Sequence, residues 1–346
     1  MKYKLLGKSG LKVSEICLGA MMFGLEWGPI GAGKDESKKI FDAFINAGGN
    51  FIDTANRYMD GTSEKYLGEF ISSQRESIVI ASKYTLYEPG CKGDLTRSGN
   101  NRKNLVQSLE GSLKRLKTDY IDLYWVHAWD FLTPVDEVMR GLDDMVRAGK
   151  IIYIGISDTP AWIVSRANTI AELRGWTQFI GLQIEYSLLQ RAPERDLIPM
   201  ANELELAVTP WAPLAGGALT GKYLNKKEDE PTRLNKDSAR LNERNTSIVM
   251  EVKRIADELG VTATQVALNW LRQKKGIIIP IVGAKKESQI KDSLDCLNFV
   301  LPEEFMKQLD EVSKIELGFP HDFLNQPLIN DLVYSGKKNL VINHRL

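Results

Sequence analysis

The sequence predicts an α/β protein built as a single (β/α)8 TIM barrel. Eight short runs of strand character recur along the chain: ICLG (16–19), NFID (50–53), IVIASK (78–83), IDLYWVH (121–127), IIYIGIS (151–157), IGLQIE (180–185), LAVTPW (206–211) and IIIPIVG (277–283). Helical patterns fill the intervals between them. Runs that are apolar on both faces suit parallel strands covered on both sides. Eight strands alternating with helices favour a barrel.

Taken in order, residues 2–13 read as a short hairpin around Gly7 to Gly10, capping the barrel floor. Ile40, Phe41, Phe44 and Ile45 make the first apolar helix face, and Leu105, Leu109, Leu113 and Leu116 the second. Val135, Val138, Met139, Leu142 and Val146 make a third, and Ile248, Val252, Ile255 and Leu259 a fourth. Spacings of three and four are the helical period. The Gly-, Lys-, Asn- and Arg-rich stretch 215–246 has no clear period and reads as a long loop after strand seven. Loops of that length are usually functional or mobile. Thr262 and Gln265 have capping-box spacing, so a helix is expected to start there. A C-terminal tail follows. No internal repeat, low-complexity tract or domain boundary interrupts the alternation, so residues 1–346 read as one domain.

Composition removes several classes. Forty-five basic and forty-five acidic residues give a formal charge of zero, with no electrostatic case for nucleic acid or an anionic membrane. Cys17, Cys91 and Cys296 are far apart without a CxxC, which fits a reducing compartment. MKYKLLGKSG has no stretch suited to a signal peptide, and IIIPIVGA (277–284) is too short to span a bilayer. A cytoplasmic protein acting on a small molecule is expected. Three dispersed histidines (His127, His321 and His344) and no cysteine cluster do not make a metal site.

The chemistry concentrates at strand ends. FIDTANRY (51–58) supplies Asp53 and Tyr58, IVIASK ends in Lys83, and IDLYWVH ends in His127. In a parallel barrel these ends converge on the face that carries the active site. A free phenol titrates near ~10, and a nearby ammonium eases formation of its anion. Lys83 can supply that charge, and Asp53 can offset the cost of burying it. His127 follows LYWV among core-like neighbours, where it could hydrogen-bond a carbonyl oxygen. For any one of these residues a packing or capping role is the simpler reading. The four together at one mouth suggest proton transfer to a carbonyl.

This order of residues resembles the aldo-keto reductase family, from about residue 3 to residue 323. The resemblance implies a nicotinamide dinucleotide, NADP(H), extended across the mouth. Tyr58 would donate the proton, Lys83 and Asp53 would tune it, and His127 would orient the carbonyl. GISD (155–158) and QIEYSLLQR (183–191) look like the carboxamide site, through Ser157, Asp158 and Gln183. Trp211 in TPWAPLAGG matches the aromatic that stacks on the nicotinamide, followed by Ala212, Pro213, Leu214 and Gly217. Gly19, Gly283, Lys285, Gln289, Asp292 and Ser293 complete the implied cofactor set, the last five within GAKKESQIKDS (283–293). LGFPHDFL and GISDTPAW look most like the aryl-alcohol dehydrogenase branch. Two positions depart from many relatives, which carry Asn at 158 and at 293. A carboxylate accepts from an amide NH2 but cannot donate to its oxygen, and Ser293 has a shorter reach.

GPIGAGKD (28–35) and GGALTGKY (216–223) both fit GxxxxGK but continue with Asp and Tyr, so the hydroxyl that binds magnesium in a P-loop is missing. The glycines of the second and Lys222 could instead cover a pyrophosphate. No GxGxxG follows a first strand, so a Rossmann domain is not supported. Met22, Trp27, Trp129 and Phe323, with Tyr58 and His127, are the expected lining of a pocket for a flat or apolar aldehyde. KKEDE (226–230) reads as a solvated run. Two other functions remain open at this point: a redox-sensing nicotinamide-binding subunit with slow turnover, and a barrel aldolase with Lys83 as Schiff-base nucleophile.

Overall fold

The protein was studied as a computed structural model that describes residues 1–88, 90–224, 234 and 238–343. Strands β1 (Tyr3–Leu5) and β2 (Lys12–Ser14) form the expected antiparallel hairpin. Eight parallel strands follow: β3 (Cys17–Gly19), β4 (Phe51–Asp53), β5 (Val79–Tyr84), β6 (Ile121–Val126), β7 (Ile151–Ser157), β8 (Phe179–Glu185), β9 (Ala207–Trp211) and β10 (Ile281–Gly283). Their order is β10-β3-β4-β5-β6-β7-β8-β9. The seam closes below β10, where Val208 N–H donates to Ile277 O and Ile279 N–H to Val208 O. The run 277–283 therefore splits in two. Pro280 has no N–H for the ladder, and its carbonyl accepts from Cys17 instead.

Helices cover the outside: α1 (Lys34–Asn46), α2 (Thr62–Phe70), α3 (Arg102–Leu116), α4 (Val135–Arg147), α5 (Ala161–Arg174), α6 (Leu197–Glu203), α7 (Glu243–Leu259), α8 (Ala263–Arg272), α9 (Glu287–Leu294) and α10 (Glu303–Val312). Two short helices, α11 (His321–Leu324) and α12 (Pro327–Tyr334), form the tail. The faces read from spacing point inward. Val135, Val138, Met139 and Leu142 of α4 are buried, each contributing about 1.5–3 kcal/mol of transfer free energy. The capping box opens α8: Gln265 N–H donates to Thr262 Oγ1, and Thr262 N–H to Gln265 Oε1.

The stretch after β9 is more ordered than its composition suggests. Ala215–Thr220 is a tight 3-10 turn in which Gly216 and Gly217 take φ of 69° and 92°. α7 begins at Glu243, inside the expected loop, because the Asn242 side chain caps it by accepting from Asn245 N–H. KKEDE and His344 lie outside the described residues.

Inside the barrel, Trp125 fills the space between β5 and β9. A Cβ on Gly155 would fall 2.3 Å from the indole and one on Gly181 2.8 Å, so both neighbours must be glycine. Leu6 and Val13 of the hairpin region join Cys17, Phe51 and Trp125 in this inner core and plug the floor. The open end is therefore the other one, at the strand C-termini. No helix among the described residues is long and apolar enough to cross a membrane.

Candidate active site

Register brings the polar residues into rows. Gly19 pairs with Asp53, Lys83 with Trp125, and Ser157, Gln183 and Thr209 stand side by side on β7, β8 and β9. Parallel partners share a face, so each row points the same way.

Lys83 is fully buried and Asp53 is 2% exposed. The Lys83 ammonium donates to the Asp53 carboxylate and, at 2.7 Å, to the carbonyl of Thr54. Gln183 Nε2 donates to the other Asp53 oxygen at 3.0 Å. Both carboxylate oxygens are thus used, and neither charge is left alone in the interior. Burial would push the Lys83 ammonium down, but Asp53 and Tyr58 together carry it above its ordinary value.

Tyr58 comes from a turn, not from a strand end. It opens the 3-10 segment Tyr58–Gly61, in which Met59 and Asp60 have φ of 46° and 50°. Asp60 holds this strained turn by accepting from Trp27 Nε1 at 3.1 Å and from Arg57. The Tyr58 ring lies under Lys83 Nζ, 4.5 Å from the ring centre, and meets Trp27 and His127 edge-on at 6.3 and 5.8 Å. Burial pushes the phenol above its ordinary value, against the pull of Lys83. The expected easing of its ionisation is therefore present but outweighed. A phenol that stays protonated can deliver its proton in reduction.

His127 N–H donates to Tyr84 O, which fixes the residue at the end of β6. Its Nδ1 is sealed from solvent without a partner among the described residues. Burial, helped by the charge of Lys83, lowers its pKa to about 3. The imidazole is neutral at ordinary pH.

The remaining residues divide into two groups. Ser157 Oγ and Thr209 Oγ1, on either side of Gln183, are buried hydroxyls with no partner among the described residues. Such atoms are costly unless something bonds them, and a ligand amide at the mouth would do so. Trp211 is half-buried and donates from Nε1 to Asp158 Oδ1 at 3.0 Å. Ala212 (φ 49°) and Pro213 lead through Leu214 into the turn at Gly217, where Lys222 Nζ fills the space a Cβ would need. Gly283, Lys285 and Gln289 are exposed around the start of α9, beyond β10. Lys285 Nζ donates to Pro29 O at 2.5 Å, while Gln289 Oε1 accepts from the backbone of Lys285 and Lys286. These free hydroxyls, the indole and the exposed lysines fit a nicotinamide dinucleotide.

Other expected residues make contacts within the protein. Asp292 accepts from Thr262 Oγ1 and Gln265 Nε2, joining α8 to α9, and Ser293 is buried beside Ile290 and Leu294. Met22 is buried at the foot of the loop after β3, and Trp129 packs on the outer core. Phe323 lies on the tail against Phe319, with ring centres 6.2 Å apart. Lys34 of the first GxxxxGK opens α1 and pairs with Glu69. Thr209, Asp60 and Thr54 were missed. Alternation back from Trp211 places Thr209 on the same face of β9, so that one was within reach; Asp60 and Thr54 act through contacts with no sequence signal.

A barrel whose mouth gathers a buried Lys–Asp pair, a protonated tyrosine and a neutral histidine beside unpaired hydroxyls has the layout of a carbonyl oxidoreductase. A model of the aldo/keto reductase family matches residues 15–314, and the chain belongs to that family. It is 39% identical over 329 residues to an NADP(+) aryl-alcohol dehydrogenase of Phanerodontia chrysosporium, covering 90% of this chain and 86% of that one. It is 35% identical over 328 residues to a norsolorinic acid reductase of Aspergillus flavus (92% and 83%) and over 341 residues to the aldo-keto reductase ausK of Aspergillus calidoustus (93% and 85%).

Proposed function

We propose that this barrel is an NADP(H)-dependent oxidoreductase that interconverts aldehydes or ketones and alcohols, favouring aromatic or apolar aldehydes, with Tyr58 as proton donor. The carrying observation is the Tyr58 phenol, kept protonated by burial and set between Lys83 and His127 at the mouth. The family and the NADP(+) relative support the cofactor. When bound, NADPH supplies a hydride to the carbonyl carbon.

The chain's own residues do the rest. Neutral His127 hydrogen-bonds the substrate oxygen and aims it at Tyr58, whose hydroxyl gives up its proton as negative charge develops there. Lys83, held protonated by Asp53, stabilises the phenolate left behind. Ser157 and Gln183 would hold the carboxamide, and the Ser157 hydroxyl would supply the donation that Asp158 cannot. Trp211 would stack on the nicotinamide ring, and Lys285 at the start of α9 would meet phosphate. The aldolase alternative requires a neutral lysine, and Lys83 is a paired ammonium with a raised pKa. A panel of aldehydes followed by NADPH absorbance tests the proposal. Stoichiometric oxidation of bound NADPH without turnover would instead favour the sensing subunit.

A further inference from the structure

Tyr58 opens a turn that does not hold itself. Met59 and Asp60 follow it in the left-handed region at φ 46° and 50°, and Gly61 closes it at φ 89°. Residues other than glycine persist in that region only where their surroundings over-determine them. Asp60, accepting from Trp27 and Arg57, holds the turn on its exposed side. A second set of contacts, which the proposed chemistry does not use, holds it on the buried side.

α2 begins directly after the turn, and its first residues are tied to the barrel. Ser63 Oγ donates to Ala20 O at 2.7 Å and lies 2.7 Å from Thr54 Oγ1. Glu64 is fully buried, which a carboxylate tolerates only when it is paired and hydrogen-bonded. One of its oxygens accepts from Ser82 Oγ at 2.5 Å and the other from Arg115 Nε at 2.6 Å. Arg115, near the end of α3, also donates to Glu88 at 3.1 Å, and Arg97 donates to the other Glu88 oxygen at 2.8 Å. The Arg115 stem packs against the turn itself: a Cβ on Gly61 would fall 3.0 Å from its Cδ.

Ser82 precedes Lys83 on β5, so the two side chains leave opposite faces of the strand. Lys83 meets the Tyr58 ring on one side, and Ser82 meets Glu64 on the other. The backbone leading into the turn follows the same strand, with Thr54 N–H donating to Ala81 O and Asn56 N–H to Lys83 O. The turn is thus registered to β5 by backbone at its entry and by Glu64 just past its exit. A pair that merely joined α2 to α3 would need Arg115 alone; the bond to Ser82 reaches the strand that carries Lys83. We propose that Glu64, braced by Arg115, is a positioning residue that sets the distance between the Tyr58 hydroxyl and Lys83. The inference deepens the proposed role of Tyr58 and rests on it.

The test is a double-mutant cycle of Glu64→Ala and Tyr58→Phe, read by single-turnover reduction of benzaldehyde with NADPH. Alone, Glu64→Ala should slow the reaction at least ~10-fold, since small misplacements of a reacting group can cost more than that. NADPH affinity should stay within about twofold of wild type. In the Tyr58→Phe background the same change should cost less than about twofold, because no hydroxyl is left to misplace. Glu64→Gln should restore most of the rate, since its amide can donate to Ser82 while its oxygen accepts from Arg115. Wild-type speed in Glu64→Ala, an equal loss in both backgrounds, or a Glu64→Gln protein as slow as Glu64→Ala would overturn the inference. If Glu64→Ala does not fold, Ser82→Ala enters the same cycle, removing only the tie to β5; a wild-type rate there would also overturn it. Should Tyr58→Phe itself reduce the aldehyde at the wild-type rate, the proton-donor role falls, and the positioning role with it.

Discussion

Trp211 Nε1 donates to Asp158 Oδ1 at 3.0 Å, tying the last residue of β9 to the residue just beyond β7. Asp158 sits at φ 43°, a left-handed conformation that aspartate and asparagine tolerate better than other side chains. Burial raises its carboxyl above the usual value, and the indole bond partly offsets that rise. This bond fixes the ring that is proposed to stack on the cofactor. Asp158→Asn keeps an acceptor oxygen for the indole, whereas Asp158→Ala removes it. NADP(+) affinity, read by tryptophan quenching, is expected to hold in the first and to weaken by about 1–2 kcal/mol in the second. Equal losses would show that the bond to Trp211 is not what matters.

Tyr58→Phe removes the proton donor and leaves the ring beneath Lys83. Carbonyl reduction should fall by at least ~10²-fold with NADPH binding little changed. Direction adds a second check. The phenol is raised above its ordinary value, so it keeps its proton through the neutral range, and reduction should vary little there. Alcohol oxidation needs the phenolate as base, so its rate should still be climbing at pH ~10. An oxidation rate that levels off near neutrality would remove Tyr58 from that role.

For His127 the sign runs the other way. Its folded pKa of about 3 lies below the ~6.5 of an unfolded histidine, so the unfolded chain binds the extra proton between those values. The contribution to stability is fully present above ~6.5 and is lost as pH falls toward 3, by at most ~1.4 kcal/mol per pH unit. His127→Ala should therefore lose less stability than wild type between pH 6 and 4 in urea titrations. At pH 8 its catalytic efficiency should drop while melting temperature and NADPH affinity hold. A destabilised mutant with normal specific activity would assign His127 to packing.

Lys285→Ala tests the choice of cofactor. The ammonium reaches Pro29 O across the start of α9, so it is already poised where a phosphate would be met. NADPH binding should weaken about tenfold, or ~1.4 kcal/mol, with NADH nearly unchanged. Lysine binds phosphate as a point charge, so the preference should also shrink as salt rises. Parallel fluorescence titrations of both cofactors decide it; the same loss for each would rule out reading of the 2′-phosphate.

The barrel was legible because its causes are local. Apolar runs on β5 to β9, helical spacing on α3 and α4, and the Thr262–Gln265 cap all lie within a turn or two of chain. Asp53, Lys83 and His127 were legible for the same reason, since each ends or follows an apolar run. Longer-range effects were not. Gln183 bonds Asp53 across 130 residues, Trp211 bonds Asp158 across 53, and the register of three strands leaves Ser157 and Thr209 unpaired on either side of Gln183. Lys83 looked able to acidify Tyr58, but burial, which depends on everything packed around the ring, outweighs it. The sequence alone determined which residues stand at the strand ends, because backbone periodicity and capping are short-range. Only the tertiary structure decided which of them touch, how dry they are and which apolar side chains are left uncovered, because desolvation and hydrogen bonding depend on neighbours that the chain brings from far away.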